Sequence, residues 1–207
     1  MEASAAQLPI PPDIIPERTL SAPEWGMASF LVSEVAFFVT LIVTYVAMMG
    51  HDIVGPTPAE ALTLPIVLLS TICLIASSVT IHSAERAIEN GAAGRFRALL
   101  AATILLGIVF LVLTGFEWHD LIFDKHLTIS RSLFGTTYYT LVGFHALHVT
   151  VGVIAMLVVF SLTATESMLK ERQTGVKLVA WYWHFVDAVW IVVFFVVYIA
   201  SRSSSAA

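Results

Sequence analysis

Five long apolar stretches divide the chain, at Trp25 to Met48, Leu62 to Ser83, Ala98 to Phe116, Thr137 to Leu162 and Leu178 to Ala200. Between them lie short segments where charge, proline and glycine collect. At about 1.5 Å of rise per residue, each stretch is long enough to cross roughly 30 Å of hydrocarbon. In lipid the backbone must satisfy its own hydrogen bonds, so an unbroken apolar run reads as a helix. The pattern predicts an all-α, polytopic membrane protein: a bundle of five transmembrane helices forming one domain over 25–200. Pro65 falls in the first turn of the second helix, where its missing N–H costs little.

The flanks differ in kind. Residues 1–24 hold five prolines and no apolar periodicity, so they read as a proline-rich N-terminal arm without a packed core of its own; 201–207 form a short Ser/Ala tail. The arm lacks the basic start and apolar centre of a secretory signal. Lys and Arg orient the bundle. Seven lie in the arm (Arg18), after the second helix (Arg86, Arg95, Arg97) and after the fourth (Lys170, Arg172, Lys177), against three on the other side, Lys125, Arg131 and Arg202. The asymmetry predicts the N-terminus inside and the C-terminus outside. Trp25, Trp118, Trp181, Trp183 and Tyr198 fall near helix ends and read as interfacial belts.

Composition agrees with the pattern and removes several function classes. Of 207 residues, 58% are hydrophobic and 12% charged, and the net charge of -5 comes with no basic patch suited to nucleic acid. The single cysteine, Cys73, excludes an intrachain disulfide and a cysteine-based metal site.

Against this apolar background a few polar residues stand out. An ionisable group at membrane depth costs about 2.5–3.5 kcal/mol on insertion scales, which makes each one a functional candidate. They are Glu34 in the first helix, His145 and His148 in the fourth, His184 and Asp187 in the fifth, and Glu117 at the outer end of the third. Counting along the helices places Glu34, His184 and Asp187 in one layer, about 9–14 Å from the inner face, with the histidine pair nearer the bilayer centre. His145 and His148, like His184 and Asp187, are i, i+3 neighbours on one helix face. Glu34 sits in SFLVSEVAFF with only Ser29 and Ser33 near it in sequence, so it needs a partner from another helix, a lipid head group, or a bound proton. Three readings compete for the group: a b-type haem or metal site, a proton path in a free-standing channel or transporter, and mutual hydrogen bonding that fixes helix register. Gly107, Gly143 and Gly152 read as points of close helix approach.

The segments WGMASFLVSEVAFF (25–38), GFHALHVTVG (143–152) and WYWHFVDAVW (181–190), in this order on separate helices, resemble subunit III of the haem-copper oxidases, particularly cytochrome c oxidase. LLSTICLIASSVTIHSA (68–84) and TISRSLFGTTYYTLVGFHALHV (128–149) extend the resemblance over nearly the whole of Trp25 to Ala200. It looks like the five-helix bacterial form, with the arm standing where the long form has two further helices. The resemblance implies a subunit without its own redox centre, in the inner (plasma) membrane of a bacterium. Haem and copper would reside in subunits I and II, with subunit I the main contact and phospholipid bound. Glu34 matches the family's carbodiimide-reactive carboxylate, whose role would concern proton uptake or lipid. His145, His148, His184 and Asp187 match its other intramembrane polar positions, expected to join helices and to bind no metal. The quinol oxidases and an accessory subunit of nitric oxide reductase belong to the same superfamily and remain alternatives, although SEVAFF and WYWHFVD look more like the cytochrome c branch.

Overall fold

A computed structural model describes residues 20–49, 64–129, 132–163 and 173–201. Among these residues the secondary structure is helical, in five helices each long and apolar enough to cross a membrane: α1 (Ala22–Met48), α2 (Leu64–Glu89), α3 (Ala93–His119), α4 (Leu133–Leu162) and α5 (Gln173–Phe194). A turn of π-helix extends α3 over Asp120–Asp124, and another extends α5 over Phe195–Ala200.

The helices begin earlier or end later than hydropathy predicts, and local chemistry explains several of these shifts. At α1 the sequence SAPE acts as a start signal. Ser21 N–H donates to Glu24 Oε2 at 2.7 Å and Pro23 occupies the first turn, so three residues of the expected arm are helical. At α4, Ser132 caps the helix by accepting from Gly135 N–H at 2.9 Å, so the helix starts at Leu133, four residues before the predicted Thr137. A Cβ on Gly135 would lie 2.7 Å from the Thr128 carbonyl, so the close approach requires glycine.

The turn joining α2 to α3 is shorter than predicted. Gly91, at φ +70°, lets Ala92 N–H reach the Ala87 carbonyl and Gly91 N–H the Ile88 carbonyl, both at 2.9 Å, the paired bonds of a Schellman ending. Arg86, Arg95 and Arg97, expected in a loop, therefore lie on the two helices. Lys177 likewise lies in the first turns of α5, whereas Arg18, Arg131, Lys170, Arg172 and Arg202, with residues 1–19 of the arm, lie outside the described residues. Pro65 is in the first turn of α2, as expected.

α2 and α3 pack along each other most extensively, α4 joins α3 to α1, and α5 touches α1, α2 and α4. The core follows from that arrangement and corrects the expected tryptophan belt. Trp183 and Tyr198 are 0% exposed, while Trp25 is 60% exposed. Trp183 lies in a slot between α3 and α4, where a Cβ on Gly107 or on Gly152 would come within 2.8 Å of its ring. Its indole N–H donates to Ser77 Oγ of α2 at 2.9 Å. One turn-pair further along, Trp190 N–H donates to Thr71 Oγ1 at 3.0 Å. Gly143 is less constrained, its nearest contact being Trp118 at 3.4 Å.

Candidate functional site

Glu34 finds its partner on α4. Its Oε2 lies 2.9 Å from His148 Nε2, while His148 Nδ1 lies 2.7 Å from the Phe144 carbonyl. A carbonyl can only accept, so Nδ1 carries a proton and donates it. Nε2 then either accepts from a protonated Glu34 or, as part of an imidazolium, donates to the carboxylate. In both forms one proton is shared across the contact and the pair has no net charge. Ser29 and Ser33 are not partners: they bond the Trp25 and Phe30 carbonyls of their own helix.

Aromatic rings enclose the pair. Phe38 meets the His148 ring edge to face at 4.9 Å, and Phe37 lies 6.2 Å from it. Tyr182 of α5 donates to the His148 carbonyl at 3.0 Å and stacks on Phe30 at 6.2 Å, so α1, α4 and α5 meet around Glu34. The side chains remain partly accessible, 19% for Glu34 and 14% for His148, so the pair sits at the wall of the bundle and not at its centre.

This contact brings His148, expected nearer the bilayer centre, into the layer predicted for Glu34, His184 and Asp187. Glu34 follows Ala22 by twelve residues and His148 precedes Leu162 by fourteen, which at about 1.5 Å per residue puts both about 18–21 Å from the same end of the bundle. The earlier start of α1 deepens Glu34. Depth alone does not choose partners, because a helix also has an azimuth. His184 faces α2, where its Nδ1 lies 2.9 Å from Ser78 Oγ and its Nε2 3.8 Å from Glu85 Oε2.

The remaining candidates do not join one network. His145 is fully buried, stacked on Trp190 at 4.8 Å and edge-on to Phe110 at 5.8 Å. Neither of its ring nitrogens makes a hydrogen bond among the described residues, and the same holds for both carboxylate oxygens of Asp187. Glu117 is 4% exposed and accepts from Tyr198 OH at 3.1 Å through either oxygen, with Tyr138 OH 3.1 Å behind Tyr198.

Hydropathy reading misses Thr71, Ser78 and Glu85, which meet Trp190 and His184. They recur every seven residues, so they form a narrow polar stripe along one face of an apolar helix. That spacing is the signal in the sequence that would find them.

Comparison with known proteins follows the same span. The family profile described as cytochrome c oxidase subunit III matches residues 19–202. The cytochrome bo(3) ubiquinol oxidase subunit 3 of Pseudomonas aeruginosa is 35% identical over 175 residues, covering 84% of this chain and 83% of that protein. The cytochrome c oxidase subunit 3 of Corynebacterium diphtheriae is 35% identical over 176 residues, covering 84% and 85%. The cytochrome c oxidase subunit 3 of Anopheles gambiae is 34% identical over 185 residues, covering 84% of this chain and 68% of that protein.

Proposed function

Because the chain belongs to the cytochrome c oxidase subunit III family, a multi-pass membrane component of an oxidoreductase complex, we propose that it is the non-catalytic subunit of a bacterial terminal oxidase. It packs on subunit I in the inner membrane with its N-terminus in the cytoplasm, leaves haem and copper to subunits I and II, and supports proton uptake. The observation that carries the proton role is the 2.9 Å contact between Glu34 and His148. A pair that holds one proton without net charge, at the wall of an apolar bundle, can accept a second proton or release the one it holds, each at the cost of one charge. Lipid or a neighbouring subunit can supply the compensating group there. The non-redox role is supported by His148, whose two ring nitrogens are engaged by Glu34 and Phe144, and by the packing of Trp190 and Phe110 against His145.

The test is Glu34→Gln in the assembled oxidase. The amide N–H can still donate to His148 Nε2, so complex yield stays near the parent level while the shared proton is lost. Oxygen consumption is expected to fall, or to decay faster during turnover. Unchanged activity and lifetime would reject the proton role, and loss of the complex would show the carboxylate to be structural.

The electron donor has two readings. The glutamate in SEVAFF favours cytochrome c, and the similarity to a ubiquinol oxidase subunit favours quinol. Turnover of the purified complex with reduced cytochrome c or with ubiquinol as sole donor separates them.

A further inference from the structure

At the end of the bundle where α1 and α5 begin and α2 ends, His82, Glu85 and His184 bring three ligand atoms together. One nitrogen of each histidine and one carboxylate oxygen all lie within 4.8 Å of one another. Glu85 Oε2 stands 3.9 Å from His82 Nδ1 and 3.8 Å from His184 Nε2. These separations are too long for direct hydrogen bonds. Two ligands held at about 2.1 Å from one ion in tetrahedral geometry stand about 3.4 Å apart, so small side-chain rotations close the triangle around a metal.

The surroundings suit that use. His82 and Glu85 share a face of α2 at i, i+3, and His184 comes to them from α5. Ser78 Oγ lies 2.9 Å from His184 Nδ1. When Nδ1–H donates to that hydroxyl, the imidazole is held in the tautomer whose Nε2 lone pair points at Glu85, the outer-sphere arrangement usual behind a metal-bound histidine. His82 and Glu85 line a cavity of about 410 Å³ whose lining also includes Glu24, Glu89, Arg86 and Lys177. Lys177 is ion-paired with Glu24, which offsets its repulsion of a cation. Side-chain exposures of 54% for His82, 24% for Glu85 and 36% for His184 leave an entry path and room for a water ligand.

We propose that His82, Glu85 and His184 form a binding site for a divalent transition metal of the zinc class, completed by water, that ties the end of α2 to α5. Two neutral imidazoles and one carboxylate coordinate the ion and no redox step is involved. The sequence reading assigns no metal to this chain, and the oxidase role neither requires nor predicts one, so the two proposals fail separately.

The test uses the full chain without a polyhistidine tag, stripped of metal and purified in detergent. Zinc affinity is measured by competition with a chromophoric chelator, and cobalt(II) reports geometry through its visible absorption. One equivalent is expected to bind, with tetrahedral cobalt bands. Ser78→Ala should weaken binding about 10–100-fold. His82→Ala and Glu85→Gln should weaken it further, with helical circular dichroism unchanged, because both side chains stand at an accessible rim. His119→Ala, at an exposed histidine elsewhere, should leave binding unaltered. Failure of the parent chain to bind one equivalent, or equal binding by His82→Ala and Glu85→Gln, would overturn the site.

Discussion

Replacing Gly152 with alanine tests the slot that holds Trp183. The added Cβ would lie 2.8 and 2.9 Å from Cε3 and Cζ3 of Trp183 and 3.2 Å from Cε1 of Tyr182. Carbon atoms attract best at about 3.5–4.0 Å, and neither ring can step aside: Trp183 is 0% exposed and faces Gly107 on its other side, again within 2.8 Å of a built Cβ. Overpacking of this kind costs about 1–3 kcal/mol. Alanine returns up to about 1 kcal/mol through its better helix propensity. The net expectation is a loss of about 1–2 kcal/mol, or a 5–30-fold fall in the folded-to-unfolded ratio. Gly26→Ala is the matched control, since nothing lies within 4 Å of its Cβ and only the propensity gain remains. Equilibrium unfolding in mixed micelles, followed by far-ultraviolet circular dichroism, gives both numbers. Their difference isolates the overpacking cost. A Gly152→Ala chain as stable as Gly26→Ala would refute the packing of Trp183 between α3 and α4. In a Trp183→Phe background the smaller ring should remove most of the Gly152→Ala cost, which a double-mutant cycle reads as coupling.

Two further substitutions test polar contacts by the same unfolding measurement. Tyr198→Phe removes the donor to buried Glu117 and the partner of Tyr138, so it should cost about 1–3 kcal/mol, whereas unaltered stability would show that the Glu117 contact contributes nothing. Asp187→Leu deletes a buried carboxyl that makes no hydrogen bond among the described residues, and should leave stability unchanged or raised. A loss of more than about 2 kcal/mol there would reveal an interhelical partner for Asp187.

The polar positions of the chain were legible in its sequence, and their pairings were not. Glu34, His148 and His184 are conspicuous in apolar helices, yet a count of residues from the helix ends sets Glu34 beside His184. The structure pairs Glu34 with His148 of α4 and turns His184 toward Ser78 and Glu85 of α2. Rise along the axis is fixed at about 1.5 Å per residue and can be read from one dimension. Rotation about the axis is set by packing against neighbours.

The sequence by itself determined the five stretches long and apolar enough to cross a membrane, because the bilayer imposes a length and an apolarity on every span regardless of what surrounds it. Only the tertiary structure decided which faces look inward. In a soluble helix the buried face is apolar and the exposed face polar, but lipid and protein core are nearly equal in polarity, so both faces of a membrane helix are apolar and the usual pattern disappears. Trp25 and Trp183 therefore look alike as letters near a helix end, and one is 60% exposed while the other is wholly enclosed. Two glycines and a serine on three other helices, Gly107, Gly152 and Ser77, make that difference.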